Sequence, residues 1–268
     1  MGLSHSLDLI RYWIEKIKNG ATNQSFKEVN PDFVLPPDYL LYESFRLNYA
    51  AYQRTGLEAA HWIHNHFAEH KANLKSLTIL DWGCGPGRIL RHLPTVFGQD
   101  GTYIGVDPNE KSIDWCHHNL AVPSQGNLIV KRSQLRPPLP LEAGSVDLLY
   151  GISILPHLSE SAHTAWIAEL MRVLRPGGMA LLTTHGPAYQ VKLTESEQHQ
   201  YKQGKLVIRG QVQEGHRVFT AYHPPKKIRK LLAPVADVLN YVPGEVRDWG
   251  IEQDVWIIRK GLTASVQN

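Results

Sequence analysis

Apolar and polar positions change period several times along the chain, and each change marks an element. Apolar residues from Leu7 to Ile17 recur at helical spacing, which predicts an amphipathic helix. A proline-rich stretch from Asn30 to Asp38 breaks it, and two more helices are predicted over Tyr42–Tyr52 and Leu57–His70. The pattern then becomes short apolar runs separated by helix-like segments. Leu77–Leu80, Thr102–Asp107, Asn127–Lys131 and Val146–Tyr150 read as strands; Arg88–Phe97 and the run opening near Asn109 read as helices. A further strand follows Pro176-Gly177-Gly178, where proline stops a helix and the glycines permit a turn. This alternation predicts an α/β fold whose sheet core runs to about Gly186.

Residues 187–222 depart from the alternation. Lys205–Arg209 and His216–Thr220 read as two strands joined through Gly210–Gly215, an inserted β-hairpin. Helix returns near Pro225–Leu232, and Val235–Tyr241 and Gln253–Arg259 read as the last two strands, making seven in the sheet. The expected organisation is an N-terminal helical extension or lid over 1–75 and a core over 76–262, with 187–222 an inserted substrate lid.

The densest chemistry lies at Asp81-Trp82-Gly83-Cys84-Gly85-Pro86-Gly87, directly after the first strand. Glycines accept positive φ and carry no Cβ, so a ligand can approach the backbone. A turn at the carboxyl end of a parallel strand is where an open α/β sheet binds its ligand. The opening of the next helix adds free N–H groups and partial positive charge. The spacing is not the G-x-G-x-x-G of dinucleotide sites, and no Gly-Lys-Ser/Thr follows. About twenty residues on, the second strand ends in Asp107, placed to accept hydrogen bonds from ribose hydroxyls. Its alternative role is a helix N-cap before Pro108, and both can hold.

Asp81–Gly87 resembles the first motif, D-x-G-x-G-x-G, of the class I (seven-stranded, Rossmann-like) S-adenosylmethionine (SAM)-dependent methyltransferases. Arg136–Tyr150 is similar to that family's proline-rich loop, tight turn and fourth strand. Gly151–Leu158 resembles an S-V-F-x-H-L segment of one branch, and Met171–Leu182 the L-x-P-G-G turn before the fifth strand. Together the motifs cover about residues 77–185. The resemblance implies SAM as cofactor and S-adenosylhomocysteine (SAH) as product. It implies a cofactor site of Asp81, Gly83, Cys84, Gly85, Gly87, Asp107, Pro108 (on the adenine), Ser133, Gln134 and Gly151. Family members often carry Asp or Asn after the third strand; this chain has Ser133 and Gln134, which leaves the adenine contact to Gln134 or to a backbone group.

His157, His185 and His223 follow the fourth strand, the fifth strand and the hairpin, so they fall near the edge where a methyl acceptor would sit. Histidine suits general-base work near neutral pH, and a structural hydrogen bond in a loop is the alternative for each. His66 and His70 stand four apart, but no carboxylate or cysteine accompanies them and no metal is expected.

Composition narrows the function classes. A net charge of +3 over 268 residues is too small to imply a polyanionic partner, and Lys226–Lys230 reads as a solvated helix face. Two cysteines, one inside the glycine turn, argue against a structural disulfide and for a cytoplasmic protein. No membrane partner is expected, since no apolar run has transmembrane length. The expected function is methyl transfer to an oxygen or nitrogen of a small molecule, such as a glycan sugar or secondary metabolite. The alternatives are methylation of RNA or protein, or an inactive SAM-fold partner subunit.

Overall fold

The computed structural model describes residues 3–121, 127–210, 214–215 and 219–262. Four helices come first: α1 (Leu3–Lys18), α2 (Gly20–Val29), α3 (Asp38–Ser44) and α4 (Tyr49–Ala68). The sheet then builds from β1 (Thr78–Trp82), β2 (Thr102–Asp107), β3 (Asn127–Arg132), β4 (Val146–Gly151) and β5 (Leu174–Thr184). Helices α5 (Leu93–Phe97), α6 (Glu110–Asn119) and α7 (Glu160–Val173) connect them. After α8 (Glu195–Lys202), the strands β6 (Val207–Arg209) and β7 (Thr220–Tyr222) pair antiparallel. Helix α9 (Pro225–Leu232) leads to β8 (Ala236–Val242), a small β9 (Val246–Arg247)–β10 (Gly250–Ile251) hairpin and β11 (Asp254–Lys260).

The main sheet has seven strands in the order β3-β2-β1-β4-β5-β11-β8. β1 to β5 pair in parallel, while β11 runs antiparallel to both its neighbours. Side chains alternate across a strand, so each strand feeds two cores. Leu80, Trp82, Leu149, Leu182 and Trp256 face one layer with Trp166 and Leu170 of α7. Ile79, Tyr103, Tyr150, Leu181 and Ile257 face the other with Ile63 and Phe67 of α4. Strands buried on both faces by helices are the arrangement a parallel sheet requires.

Three expectations shift. The helix expected over 42–52 is divided, with 42–44 closing the short α3 and 49–52 opening α4, which runs on unbroken through most of the helix expected over 57–70. Asn48 starts α4 by accepting a hydrogen bond from the Ala51 amide. Gly56 does not break it: a Cβ there would meet the Arg88 carbonyl oxygen at 2.2 Å, so this glycine marks close packing on the segment after the glycine turn. The helix expected over 88–97 is shorter, with a 3₁₀ turn at Leu90–His92 leading into α5. Pro94 has no N–H to donate and fits only the first turn of α5. The inserted hairpin is present, but its second strand starts at Thr220; residues 211–213 and 216–218 lie outside the described residues.

Candidate cofactor and acceptor site

The main-sheet features singled out above gather at the carboxyl ends of β1 to β5. Gly83 (φ +83°), Gly85 (φ +51°) and Gly87 (φ +73°) all lie in the left-handed region, where a side chain is strained. Packing adds to this at two of them: a Cβ on Gly83 would strike the Ile154 side chain at 2.1 Å, and one on Gly87 the Leu120 side chain at 2.4 Å. At Gly85 the nearest atom is the Ser44 Cβ at 3.4 Å, so this is the glycine with room above it. The amides of Gly83 and Cys84 both donate to the Val106 carbonyl, which ties the turn to β2. Cys84 turns its thiol into the core, so it can offer a ligand only its backbone.

Asp107 faces this turn. Its Oδ2 accepts from the Gly85 amide at 2.9 Å and its Oδ1 from the Asn109 amide at 2.8 Å. The N-cap of α6 is Asn109, whose side chain accepts from the Ser112 amide, so the capping role proposed for Asp107 belongs to its neighbour. Burial raises the Asp107 carboxyl above the ordinary carboxylate range. Asp81 is fully enclosed one strand away, and burial pushes its carboxyl up to about 7 against the pull of Tyr150 and Arg88. The Tyr150 hydroxyl, close to Asp81, is buried without a hydrogen-bond partner at bonding distance. Arg88 is half-buried beside them, its Nη1 donating to Thr55 of α4.

SAM brings ribose hydroxyls, an α-ammonium and a sulfonium, and this donor set fits it. Each Asp107 oxygen spends one acceptor position on a backbone amide and keeps the other. A buried carboxyl, a partly buried glycine and a partly buried carboxylate stand at one edge of the sheet, where hydroxyl and ammonium groups can be satisfied. Pro108 is exposed beside Asp107, and Gln134 is exposed after β3, while Ser133 is buried and donates its amide to the Asp107 carbonyl. Gly151 has a packing reason of its own, since a Cβ there would meet the Trp82 indole at 2.5 Å.

The three histidines lie around β7. His157 is half-buried, with Nδ1 2.7 Å from the Phe219 carbonyl oxygen. His223 donates its amide to the His185 carbonyl at 2.8 Å and is fully buried. Its Nε2 sits 2.9 Å from Nε2 of His163, whose Nδ1 is 2.6 Å from the Ser159 carbonyl. Assigned from these partners, His163 carries its proton on Nδ1, so His223 donates from Nε2. Burial drives the His223 pKa well below the ordinary histidine value. His185 stacks on Tyr189 with ring centres 3.9 Å apart, and burial, with His157 and Lys192 nearby, pulls its pKa down to about 3.

Motif reading missed a polar network around His185. The Ser153 amide donates to Thr183 Oγ1, which donates to Gln253 Oε1; Gln253 Nε2 donates to Ser153 Oγ and lies 3.3 Å from His185 Nε2. Ser153 holds a left-handed backbone (φ +60°), unusual for a non-glycine residue. The one sequence signal was position: Thr183 is the next-to-last residue of β5, and Gln253 directly precedes the antiparallel β11 that pairs with it. No register rule in a single sequence supplies that pairing. Among the described residues no cluster of three or more His, Cys, Asp or Glu side chains could hold a metal.

A seven-stranded sheet with β11 reversed and a glycine turn facing an acidic strand end defines the Rossmann-like fold of class I methyltransferases. Residues 79–178 match the family model described as a methyltransferase domain. A fatty-acid O-methyltransferase from Mycolicibacterium smegmatis is 29% identical over 133 residues, 47% of this chain and 43% of that protein. A tRNA (carboxymethyluridine(34)-5-O)-methyltransferase from Arabidopsis thaliana is 34% identical over 106 residues, 39% of this chain and 23% of that protein. These matches span less than half the length of either relative. Magnesium protoporphyrin IX methyltransferase from Synechocystis, solved with bound SAH, shares the fold at TM-score 0.55 and 14% identity, covering 94% of this chain and 100% of that one.

Proposed function

We propose that the protein is a SAM-dependent methyltransferase acting on an oxygen or nitrogen of a small molecule. The observation that carries the cofactor part is Asp107 locked to the Gly85 amide, with an acceptor position left on each carboxylate oxygen. In this reading Asp107 holds the ribose, and Asp81 with the backbone of the glycine turn holds the amino-acid end. Pro108, Ser133, Gln134 and Gly151 border the adenine side. Residues 76–262 form the core, with 1–75 as the helical lid and 187–222 as the substrate-side insert.

SAM supplies a methyl group already activated by its sulfonium, so the chain's task is alignment and the removal of a proton where the acceptor carries one. We assign the base to His157, the half-buried member of the histidine group. His185 and His223 are held neutral by burial, and we give them the role of shaping the acceptor wall through Gln253, Tyr189 and His163. The small-molecule preference rests on the modest net charge and on a polar network scaled to a few functional groups. The relatives whose names are tRNA methyltransferases support a second reading, RNA as the acceptor.

Calorimetric titration with SAM and SAH tests the cofactor assignment. Micromolar binding of both is expected, and absence of binding refutes it. A mass-shift screen of small-molecule hydroxyls and amines then separates the readings: salt-dependent binding and methylation of RNA alone would overturn the small-molecule one.

A further inference from the structure

Helix α1 is amphipathic in the inverted sense. The residues that turn toward the protein are its polar ones. Asp8 accepts from the Tyr42 hydroxyl, Glu15 from the Leu47 amide at 2.9 Å, and just past the helix Asn19 Oδ1 accepts from Asn48 at 3.2 Å. Tyr12, on the same side, packs edge-on against Tyr39 and Tyr42. At about 100° per residue, the set 8, 12, 15, 19 lies opposite the set 10, 13, 14, 17. That second set is apolar and faces outward: Ile10 is 55% exposed, Trp13 56%, Ile14 57% and Ile17 79%. A surface helix ordinarily does the reverse, burying its apolar stripe against the core.

The charges say what covers the stripe. Its two edges carry cations, Arg11 and Lys18 on one side and Lys16 on the other, Lys16 also bonding Asp38 at 2.9 Å. The helix's acidic side chains after Leu7, Asp8 and Glu15, are drawn to the inner face. A second copy laid on this stripe would set like charges against like and find no exposed carboxylate on the helix to answer them. An anionic bilayer answers both features. Isoleucines and a tryptophan enter the headgroup–acyl boundary, while lysine and arginine stems reach up to lipid phosphates. No helix among the described residues is long and apolar enough to cross a membrane, so the contact is one of lying on the surface.

We propose that α1 is a surface anchor that docks the protein on membranes rich in anionic lipid. The expectation of no membrane partner rested on the absence of a spanning segment, which does not bear on such a helix. Tyr12 of α1 packs against the cluster that holds Tyr52 of α4, whose hydroxyl donates to the Pro86 carbonyl of the glycine turn. Docking is independent of the methyl acceptor and is tested without it.

The full chain would be floated with vesicles of phosphatidylcholine alone and of phosphatidylcholine mixed with phosphatidylglycerol. Binding to the mixed vesicles is expected, at least tenfold weaker to the neutral ones and weakened by salt. Ile14→Glu with Ile17→Glu should lower it tenfold or more, and Arg11→Glu with Lys18→Glu should remove the preference for anionic lipid. Unchanged thermal melting shows that the variants fold, as these side chains point outward. Absence of binding to the mixed vesicles overturns the proposal. So does a dimer in solution, by light scattering, that the Ile14/Ile17 variant dissociates, since the stripe would then be a contact between copies.

Discussion

The carboxylate of Asp107 accepts a hydrogen bond from the amide of Gly85 at 2.9 Å, joining the end of β2 to the turn after β1. Gly85 is also the turn glycine whose Cβ position meets nothing closer than the Ser44 Cβ at 3.4 Å. The acidic residue thus does two things at once: it sets the turn's shape and presents its remaining lone pairs beside the opening. That pairing explains how a glycine turn and an acid about twenty residues later come to face each other.

Asp107→Ala should weaken SAH binding about tenfold or more, the loss expected for charge-assisted bonds worth about 1.5–3 kcal/mol each. Asp107→Asn, which keeps an acceptor for the Gly85 amide, should melt closer to wild type than Asp107→Ala while still binding SAH poorly. Calorimetry of both variants checks this, and wild-type affinity in Asp107→Ala removes the ribose assignment.

Asp81 makes stability depend on pH in an unusual direction. Its folded pKa of about 7 lies above the unfolded value of 3.8, so the folded protein keeps a proton that the unfolded chain has released. The stabilisation is complete below 3.8 and disappears as pH rises through about 7. Wild type should therefore lose stability relative to Asp81→Asn between pH 4 and 7. A constant difference in melting temperature across that window contradicts the assignment.

His157→Ala should lower turnover by about a hundredfold or more if the ring removes the acceptor's proton. SAM affinity should change by less than about threefold, because the role proposed for this residue concerns the acceptor and not the cofactor. His157→Gln serves as the companion variant, retaining a polar group near the Phe219 carbonyl. Wild-type turnover in either variant moves the base elsewhere.

Gly56→Ala reverses an ordinary rule. In a helix interior alanine is favoured over glycine by about 1 kcal/mol. Here the new methyl would meet the Arg88 carbonyl, a backbone atom with no rotamer to escape through. Net destabilisation of about 1–3 kcal/mol is expected from the overpacking. Denaturant unfolding measures it, and a stabilised variant would show that α4 can move off the glycine turn.

Motif and periodicity carried far in the sheet. The β1–β5 strands, the glycine turn and the Asp107 position were legible because each depends on short stretches whose spacing is local. The N-terminal helices were less so: a glycine at position 56 reads as a weak point, and only the approach of Arg88 shows it to be a contact. The orientation of α1 was equally hidden. Its apolar spacing was plain, but a periodic stripe does not say whether it faces core or solvent.

By itself, the sequence determined the α/β class, the order of the strands along the chain and the residues at the mouth of the glycine turn. These follow from side-chain period, glycine conformational freedom and proline geometry, which act within a few residues. The tertiary structure decided which residues meet across long intervals. It set Gln253 against Ser153 and Thr183, and His223 against His163. It also left Asp81 buried enough to hold a proton near neutral pH and turned the apolar stripe of α1 outward. Burial and register are sums over the whole packed molecule, and no window of sequence contains them.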